Sequence, residues 1–272
     1  MAVIHRGEEP PLVGTGGSGT IFISGCNLGC TFCQNYRISQ GKDGEGSLGT
    51  AVTAQEFAEI CMMLRDKGAE NINIVTGSHA IPAIAEGLAV AKSAGVRIPV
   101  LWNSSAYETT GTLELLRESV DIYLPDLKTL DSGIAGIFFN APDYPRTASS
   151  AILKMLETAD SKEKVIIRHL ILPGFLESSR TVLRWFAENA VGRAQLSLMT
   201  QYTPIPNGKP MPNRFLTEEE YETVLNWLEE YGIEDGFCQE LVTGNEWLPD
   251  FRKQNPFSSE LSVPVWHFTS RT

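Results

Sequence analysis

The chain has 272 residues, 42% hydrophobic and 20% charged, with a formal net charge of −11; that length suits one α/β barrel or two small domains, and the acidic balance repels phosphate backbones, so nucleic acid is not an expected partner. No run approaches the roughly 18–20 apolar residues of a membrane span, and the first ten residues lack the apolar core of a signal peptide. Five cysteines are an odd count for a disulfide framework, so the expected setting is a reducing cytoplasm with no membrane partner.

Residues 1–19 are rich in Gly and Pro and read as an N-terminal loop leading into a first strand. Short apolar runs at 20–24, 71–75, 98–102, 120–124, 164–172 and 195–199 read as strands covered on both faces. Thr53-Ala54-Gln55-Glu56 is a capping box opening a helix to about residue 67, with Phe57, Ile60, Cys61 and Leu64 as its buried stripe. Helices are also expected at 81–94, 108–119, 148–159 and 178–189. A last one opens at the capping box Thr217-Glu218-Glu219-Glu220. Two long irregular stretches, 128–146 and 200–216, follow strands and are candidates for a lid or substrate loop; the second is extended by Pro204, Pro206, Pro210 and Pro212.

Six strand–helix units with right-handed crossovers place the chain in the α/β class. Falling short of the eight units of a closed barrel, they predict a partial (β/α)6 TIM-like barrel, a curved parallel sheet with outer helices. The core spans 20–200, and 201–272 is a C-terminal extension packing on it in a single domain. Chemistry is then expected just after each strand.

The first strand runs into Cys26-Asn27-Leu28-Gly29-Cys30-Thr31-Phe32-Cys33, three of the five cysteines within eight residues. Gly25 and Gly29 free the backbone so that three sulfurs can converge. Soft thiolates at this spacing suit a soft metal or an iron–sulfur cluster. Three ligands on a four-iron cubane leave one iron open to a substrate or cofactor. A structural zinc with a remote fourth ligand is the competing reading; Cys61 and Cys238 read as structural.

The spacing Cys26-x3-Cys30-x2-Cys33, with Phe32 before the last cysteine, resembles that of the radical S-adenosylmethionine superfamily, and the six βα units resemble its core. Within it the chain is similar to the activating enzymes of pyruvate formate-lyase and other glycyl-radical enzymes. Cys33-Gln34-Asn35 resembles their Cys-His-Asn, Asp126-Leu127-Lys128 matches their Asp-Leu-Lys, and the run from Ile167 to Gly174 resembles their Ile-Arg-Tyr run ending in Pro-Gly. Gly7-Glu8-Glu9-Pro10-Pro11, Gly17-Ser18-Gly19 and Asn140-Ala141-Pro142-Asp143-Tyr144-Pro145 resemble a branch of activase-like iron–sulfur proteins without a settled substrate. Many members of that branch carry a further cysteine-rich N-terminal segment; this chain starts after its place, and a second cluster is not expected unless a partner provides it.

The resemblance implies a [4Fe-4S] cluster on Cys26, Cys30 and Cys33, with S-adenosylmethionine on the open iron. It implies an electron from a flavodoxin or ferredoxin, and a 5′-deoxyadenosyl radical that takes hydrogen from a substrate. That substrate is a glycyl-radical enzyme or another protein, or alternatively a small molecule; a metal-binding module without catalysis is the reading from another class. Phe32 and Tyr36 are candidates to face the adenine. Thr76, Gly77 and Ser78 stand where the family has a Gly-Gly-Glu turn for the amino group, here without a carboxylate. Asn103, Ser104 and Ser105 are candidates for the ribose hydroxyls, and Tyr202 aligns with a cofactor-contacting histidine.

Lys128 and Arg168 are the candidate catalytic side chains. Alternation puts Asp126 and Lys128 on one face; Lys128 suits the methionine carboxylate, or else pairs with Asp126 on the surface. Arg168, inside an apolar strand, needs an anion: the cofactor, a substrate acid or Asp126. His169 alternates to the other face as a core histidine, and His79 is a proton donor or a capping residue.

Overall fold

The computed structural model describes residues 1–40, 48–205, 209–244 and 248–270. The strands are β1 (Ala2–His5), β2 (Ser18–Phe22), β3 (Ile72–Val75), β4 (Val100–Ser104), β5 (Ile122–Pro125), β6 (Ile166–Leu170), β7 (Gln195–Met199), β8 (Gly236–Cys238) and β9 (Ser262–Trp266). The helices are α1 (Pro10–Val13), α2 (Tyr36–Ser39), α3 (Ala54–Asp66), α4 (Ile81–Ser93), α5 (Thr110–Leu113), α6 (Ser132–Phe139), α7 (Tyr144–Thr158), α8 (Leu176–Asn189) and α9 (Glu218–Glu230).

One sheet runs β5-β4-β3-β2-β1-β9 and a second runs β6-β7-β8. Parallel bridges at Tyr123–Val165 and Asp126–Arg168 join β5 to β6, so the curved sheet is continuous across them. Strands β2 to β8 are parallel, with the helices outside, as a partial barrel requires. Register aligns Phe22 with Val75, Val75 with Asn103, and Ser104 with Pro125. The residues that follow these strands therefore emerge at one rim.

The six expected strands are present, and three more were not foreseen. β1 lies in the segment read as an N-terminal loop and pairs antiparallel with both β2 and β9. All four of its residues are buried, so no alternation marked it as a strand. β8 has three residues, and β9 carries Pro264, which fits an edge strand. The expected helix 108–119 is a single turn, α5, followed by a 3₁₀ turn.

The stretch 128–146, read as irregular, contains α6. Asp131 caps it by accepting from the Ile134 N–H at 2.8 Å, and Asn140 ends it in the left-handed region. Its glycines, Gly133 and Gly136, lower its intrinsic helix propensity. α7 starts at Tyr144 rather than 148 because Pro145 fits a first helical turn. In the extended stretch 200–216, Pro206 lies outside the described residues.

The capping box of α3 is formed. Thr53 Oγ1 accepts from the Glu56 N–H at 3.2 Å, and Glu56 Oε2 accepts from the Thr53 N–H at 2.7 Å. The helix buries Phe57, Ala58, Ile60, Cys61 and Leu64 against the sheet and α4. Thr53→Ala is expected to cost about 1 kcal/mol, read as a lower denaturant midpoint at unchanged slope.

Candidate active site

The loop after β2 turns at Gly25, whose φ of +89° is left-handed. A Cβ there would stand 2.9 Å from His79 Nε2, the nitrogen that lies 2.8 Å from the Ser24 carbonyl. His79 thus braces the loop and lies outside the cavity that the cysteines line. The last turn of α6 holds the loop's middle: the N–H groups of Gly29 and Thr31 donate to Phe139 O at 3.0 Å and Phe138 O at 2.8 Å. Gln40 Nε2 donates to Cys30 O at 2.6 Å, and Tyr36 N–H to Cys33 O at 3.0 Å.

The result is three free thiols on one wall of a cavity of about 250 Å³. Burial pushes all three thiol pKa values up, Cys30 to about 12, while the charge of Lys128 pulls the other way. Cys61 is fully buried in α3 and Cys238 is exposed on β8; neither lines the cavity.

Thr76, Asn103, Ser105, Asp126, Lys128 and Arg168 complete the walls with Phe32. Thr76 has φ +62°, a strained conformation for a β-branched residue, of a kind that clusters at ligand sites. Its N–H donates to Asn103 O at 2.9 Å, which ties the turn to β4. Ser105 Oγ is buried without a hydrogen-bond partner among the described residues. The Asp126-Leu127-Lys128 turn is pinned by Tyr144, whose Oη donates to Asp126 O at 2.7 Å and accepts from the Lys128 N–H at 3.0 Å. Lys128 Nζ stands 2.5 Å from Asp126 Oδ2. The pair expected as one alternative is therefore formed, but inside the cavity rather than on an open surface. Burial, the largest single effect, opposes the ammonium; the charge and hydrogen bond of Asp126, with the neighbouring Cys30 and Tyr144, together outweigh it and leave the Lys128 pKa above its ordinary value.

Several of the expected contact residues lie behind the cavity wall. Gly77 packs under Ile84 and Trp102, with no room for a Cβ. Ser78 Oγ turns inward to donate to Glu108 Oε1 at 2.8 Å, which also accepts from Trp102 Nε1 at 3.0 Å. Tyr202 is buried behind Phe32, its ring 5.7 Å away and its hydroxyl donating to Pro212 O at 2.7 Å. Gly77, Ser78, Tyr202 and Tyr36 do not line the cavity.

Arg168 does line it, but its anions are not those foreseen. Nε donates to Glu9 Oε1 at 2.8 Å and Nη2 to Glu9 Oε2; Nη2 also reaches Glu8 Oε2 at 2.5 Å. Asp126 meets Arg168 through the backbone, as a bridge, with Leu127 N–H donating to Arg168 O at 2.8 Å, and its charge adds a smaller effect on the guanidinium than those of Glu9 and Glu8. Burial works against the guanidinium, and Glu9 and Glu8 hold its pKa above ordinary. Burial works equally against ionised Glu9, and Arg168 holds its pKa below ordinary. So placed, Arg168 has Glu8 and Glu9 as its anionic partners. His169 faces the other way between Leu127 O and Ser179 Oγ at 2.8 and 2.9 Å, its pKa brought down by burial to about 4.

The donor set fits a cluster better than a zinc ion. No fourth cysteine lines the cavity, and among the described residues no three His, Cys, Asp or Glu side chains converge as a single ion requires. Three thiolates instead suit a cubane whose fourth iron is left open to a ligand. The unpartnered Ser105 hydroxyl and the Lys128 ammonium supply polar groups for a ligand beside it.

A sequence model of the radical SAM superfamily matches residues 20–186. An uncharacterized protein, MJ0674 of Methanocaldococcus jannaschii, is 33% identical over 235 residues, covering 85% of this chain and 67% of that protein. Three solved structures share the fold. SuiB of Streptococcus suis, bound to precursor peptide SuiA, has a TM-score of 0.58 at 15% identity and covers 81% of this chain. This chain spans about half of that one, 48%. A radical SAM methyltransferase from Sphaerobacter thermophilus has a TM-score of 0.56 at 15% identity, covering 82% of this chain and 66% of that one. The FeFe-hydrogenase maturase HydG from Carboxydothermus hydrogenoformans has a TM-score of 0.59 at 12% identity, covering 89% and 62%. Among the described residues no helix is long and apolar enough to cross a membrane.

Proposed function

The chain belongs to the radical S-adenosylmethionine superfamily, and from that premise we propose an activase-like enzyme that draws a hydrogen atom from a protein substrate, a glycyl-radical enzyme being the type. The observation that carries this reading is the meeting of Cys26, Cys30 and Cys33 with Asp126 and Lys128 on the walls of one cavity at the strand ends. The family's cofactors, a [4Fe-4S] cluster and S-adenosylmethionine, supply one-electron cleavage of a carbon–sulfur bond.

In this reading the three thiolates hold three irons. Lys128, fixed by Asp126 and by Tyr144 through its backbone, offers its remaining ammonium hydrogens to the methionine carboxylate. Asn103 and Ser105 offer polar atoms to the ribose, and Phe32 an apolar face to the adenine. The buried walls keep water from a reactive intermediate. A flavodoxin or ferredoxin is the proposed electron donor. The protein-directed part of the reading is supported by Asp126-Leu127-Lys128, which matches the activases' Asp-Leu-Lys, and by Cys33-Gln34-Asn35, which resembles their Cys-His-Asn.

Anaerobic reduction with S-adenosylmethionine tests the chemistry through 5′-deoxyadenosine. Deuterium passing into it from a glycine-deuterated glycyl-radical enzyme tests the substrate. Failure of the first removes the enzyme reading, and failure of the second alone removes the activase role. Lys128→Met keeps the stem and removes one charge-assisted contact. The S-adenosylmethionine dissociation constant is expected to rise about 10- to 150-fold at matched cluster content. An unchanged constant would leave Lys128 as the partner of Asp126 alone.

A further inference from the structure

The cavity does not stop at the cysteines. It continues into the barrel lumen to His5, Gly7 and Glu8 at the N-terminal strand. There one guanidinium faces two carboxylates. Glu9 takes Arg168 in a fork and stands outside the cavity lining. Glu8 takes a further contact from Nη2, and its Oε1 accepts from Asn73 Nδ2 at 3.0 Å. The surplus negative charge thus falls on the carboxylate that lines the cavity, whose side chain is 11% exposed. The other charged pair on the walls, Asp126 and Lys128, is already balanced. A buried surplus charge is costly, and a cation relieves it.

His5 supplies a second and independent observation. It is only 6% exposed. The Gly7 N–H donates to its Nδ1 at 3.2 Å, so a neutral ring carries its hydrogen on Nε2. Burial, aided by Arg168 and opposed by Glu8, lowers its pKa and keeps the ring neutral. Nε2 is buried and has no hydrogen-bond partner among the described residues. The ring is held edge-on by Phe257 at 4.7 Å, itself a lining residue, and its other nitrogen, Nδ1, stands 3.9 Å from Glu8 Oε1, so the ring is fixed in the same part of the cavity as Glu8.

We propose that Glu8 and His5 form a substrate subsite in the lumen, Glu8 pairing with an ammonium or guanidinium group and His5 Nε2 donating to an acceptor next to it. Phe22, Leu170, Met199 and Phe257 line the same space and suit an aliphatic stem. The proposal rests on the reading of this cavity as the active site, and it adds the substrate's charge. The cation belongs either to a free amine or to a basic side chain of a polypeptide.

The test uses cluster-loaded protein saturated with S-adenosylmethionine, so that the cofactor's own ammonium is already in place. It is titrated anaerobically with n-butylammonium and with N-acetyl-lysine N-methylamide. Their neutral counterparts, n-butanol and N-acetyl-norleucine N-methylamide, are run beside them. Heat and the ring resonances of His5 are followed. A cation is expected to bind saturably, to shift His5, and to bind about tenfold or more tighter than its neutral counterpart. Tighter binding of the lysine derivative assigns the cation to a polypeptide; tighter binding of butylammonium assigns it to a free amine. Glu8→Gln is expected to weaken the better cation by about 10- to 150-fold.

Equal binding of cation and neutral counterpart overturns the proposal, and this comparison needs no variant to fold. Cation binding that vanishes on saturation with S-adenosylmethionine also overturns it, since Glu8 would then serve the cofactor. Iron content and 5′-deoxyadenosine from the same samples report separately on the cofactor reading.

Discussion

Cys30→Ala is expected to abolish the iron–sulfur centre: from about four irons and four sulfides per chain to a small residue after identical reconstitution. Cys30 is the most enclosed of the three thiols, with its carbonyl tied to Gln40 and its neighbours tied to α6. No other cysteine lines the cavity to replace it. S-adenosylmethionine binding should fall with the cluster. Cys61→Ala, on the buried stripe of α3, should keep full iron and lose only core packing. Iron and sulfide analysis of the two variants side by side separates the assignments. Loss of iron in Cys61→Ala, or its retention in Cys30→Ala, would mean that the triplet is not the ligand set.

The triplet was legible because it is local: three thiols within eight residues after a strand reach one cavity whatever the rest of the chain does. Asp126 and Lys128 were legible for a related reason, because alternation and the strand-end rule fix their side without any distant partner. Arg168 was legible only by half. A charge inside an apolar strand demands an acid, but the acids that answer it lie 159 and 160 residues away. The strand that carries them to it, β1, is buried on both faces and reads as loop. Ser78 and Tyr202 stand outside the cavity lining for the opposite reason. Each follows a strand, yet each hydroxyl found a partner behind the wall, in Glu108 and in Pro212 O. Position after a strand fixes the rim, and side-chain partners decide which residues face the cavity.

Arg168→Met is expected to be the most destabilising single change away from the cluster. The guanidinium is the shared partner of Glu8 and Glu9, all three side chains being close to fully buried. Removing one member of a buried ion pair costs about 3–5 kcal/mol, because the remaining charge is left without compensation. The pH dependence identifies the cause. In the wild type, Arg168 holds the Glu9 pKa below its ordinary value of 4.5. Glu9 therefore adds stability above that value, and the contribution is lost as pH falls through the depressed folded pKa. In Arg168→Met the guanidinium is gone and burial, which raises the pKa, prevails. The variant's carboxyl then takes a proton at higher pH, which removes the buried charge and part of the penalty. The stability gap between the two proteins should be widest near neutral pH and should narrow steadily as the pH drops toward about 4. Urea midpoints measured at about pH 7 and about pH 4, on proteins loaded identically, give both numbers. A gap of equal size at the two pH values would mean that lost packing of the arginine stem, rather than two stranded carboxylates, accounts for the damage.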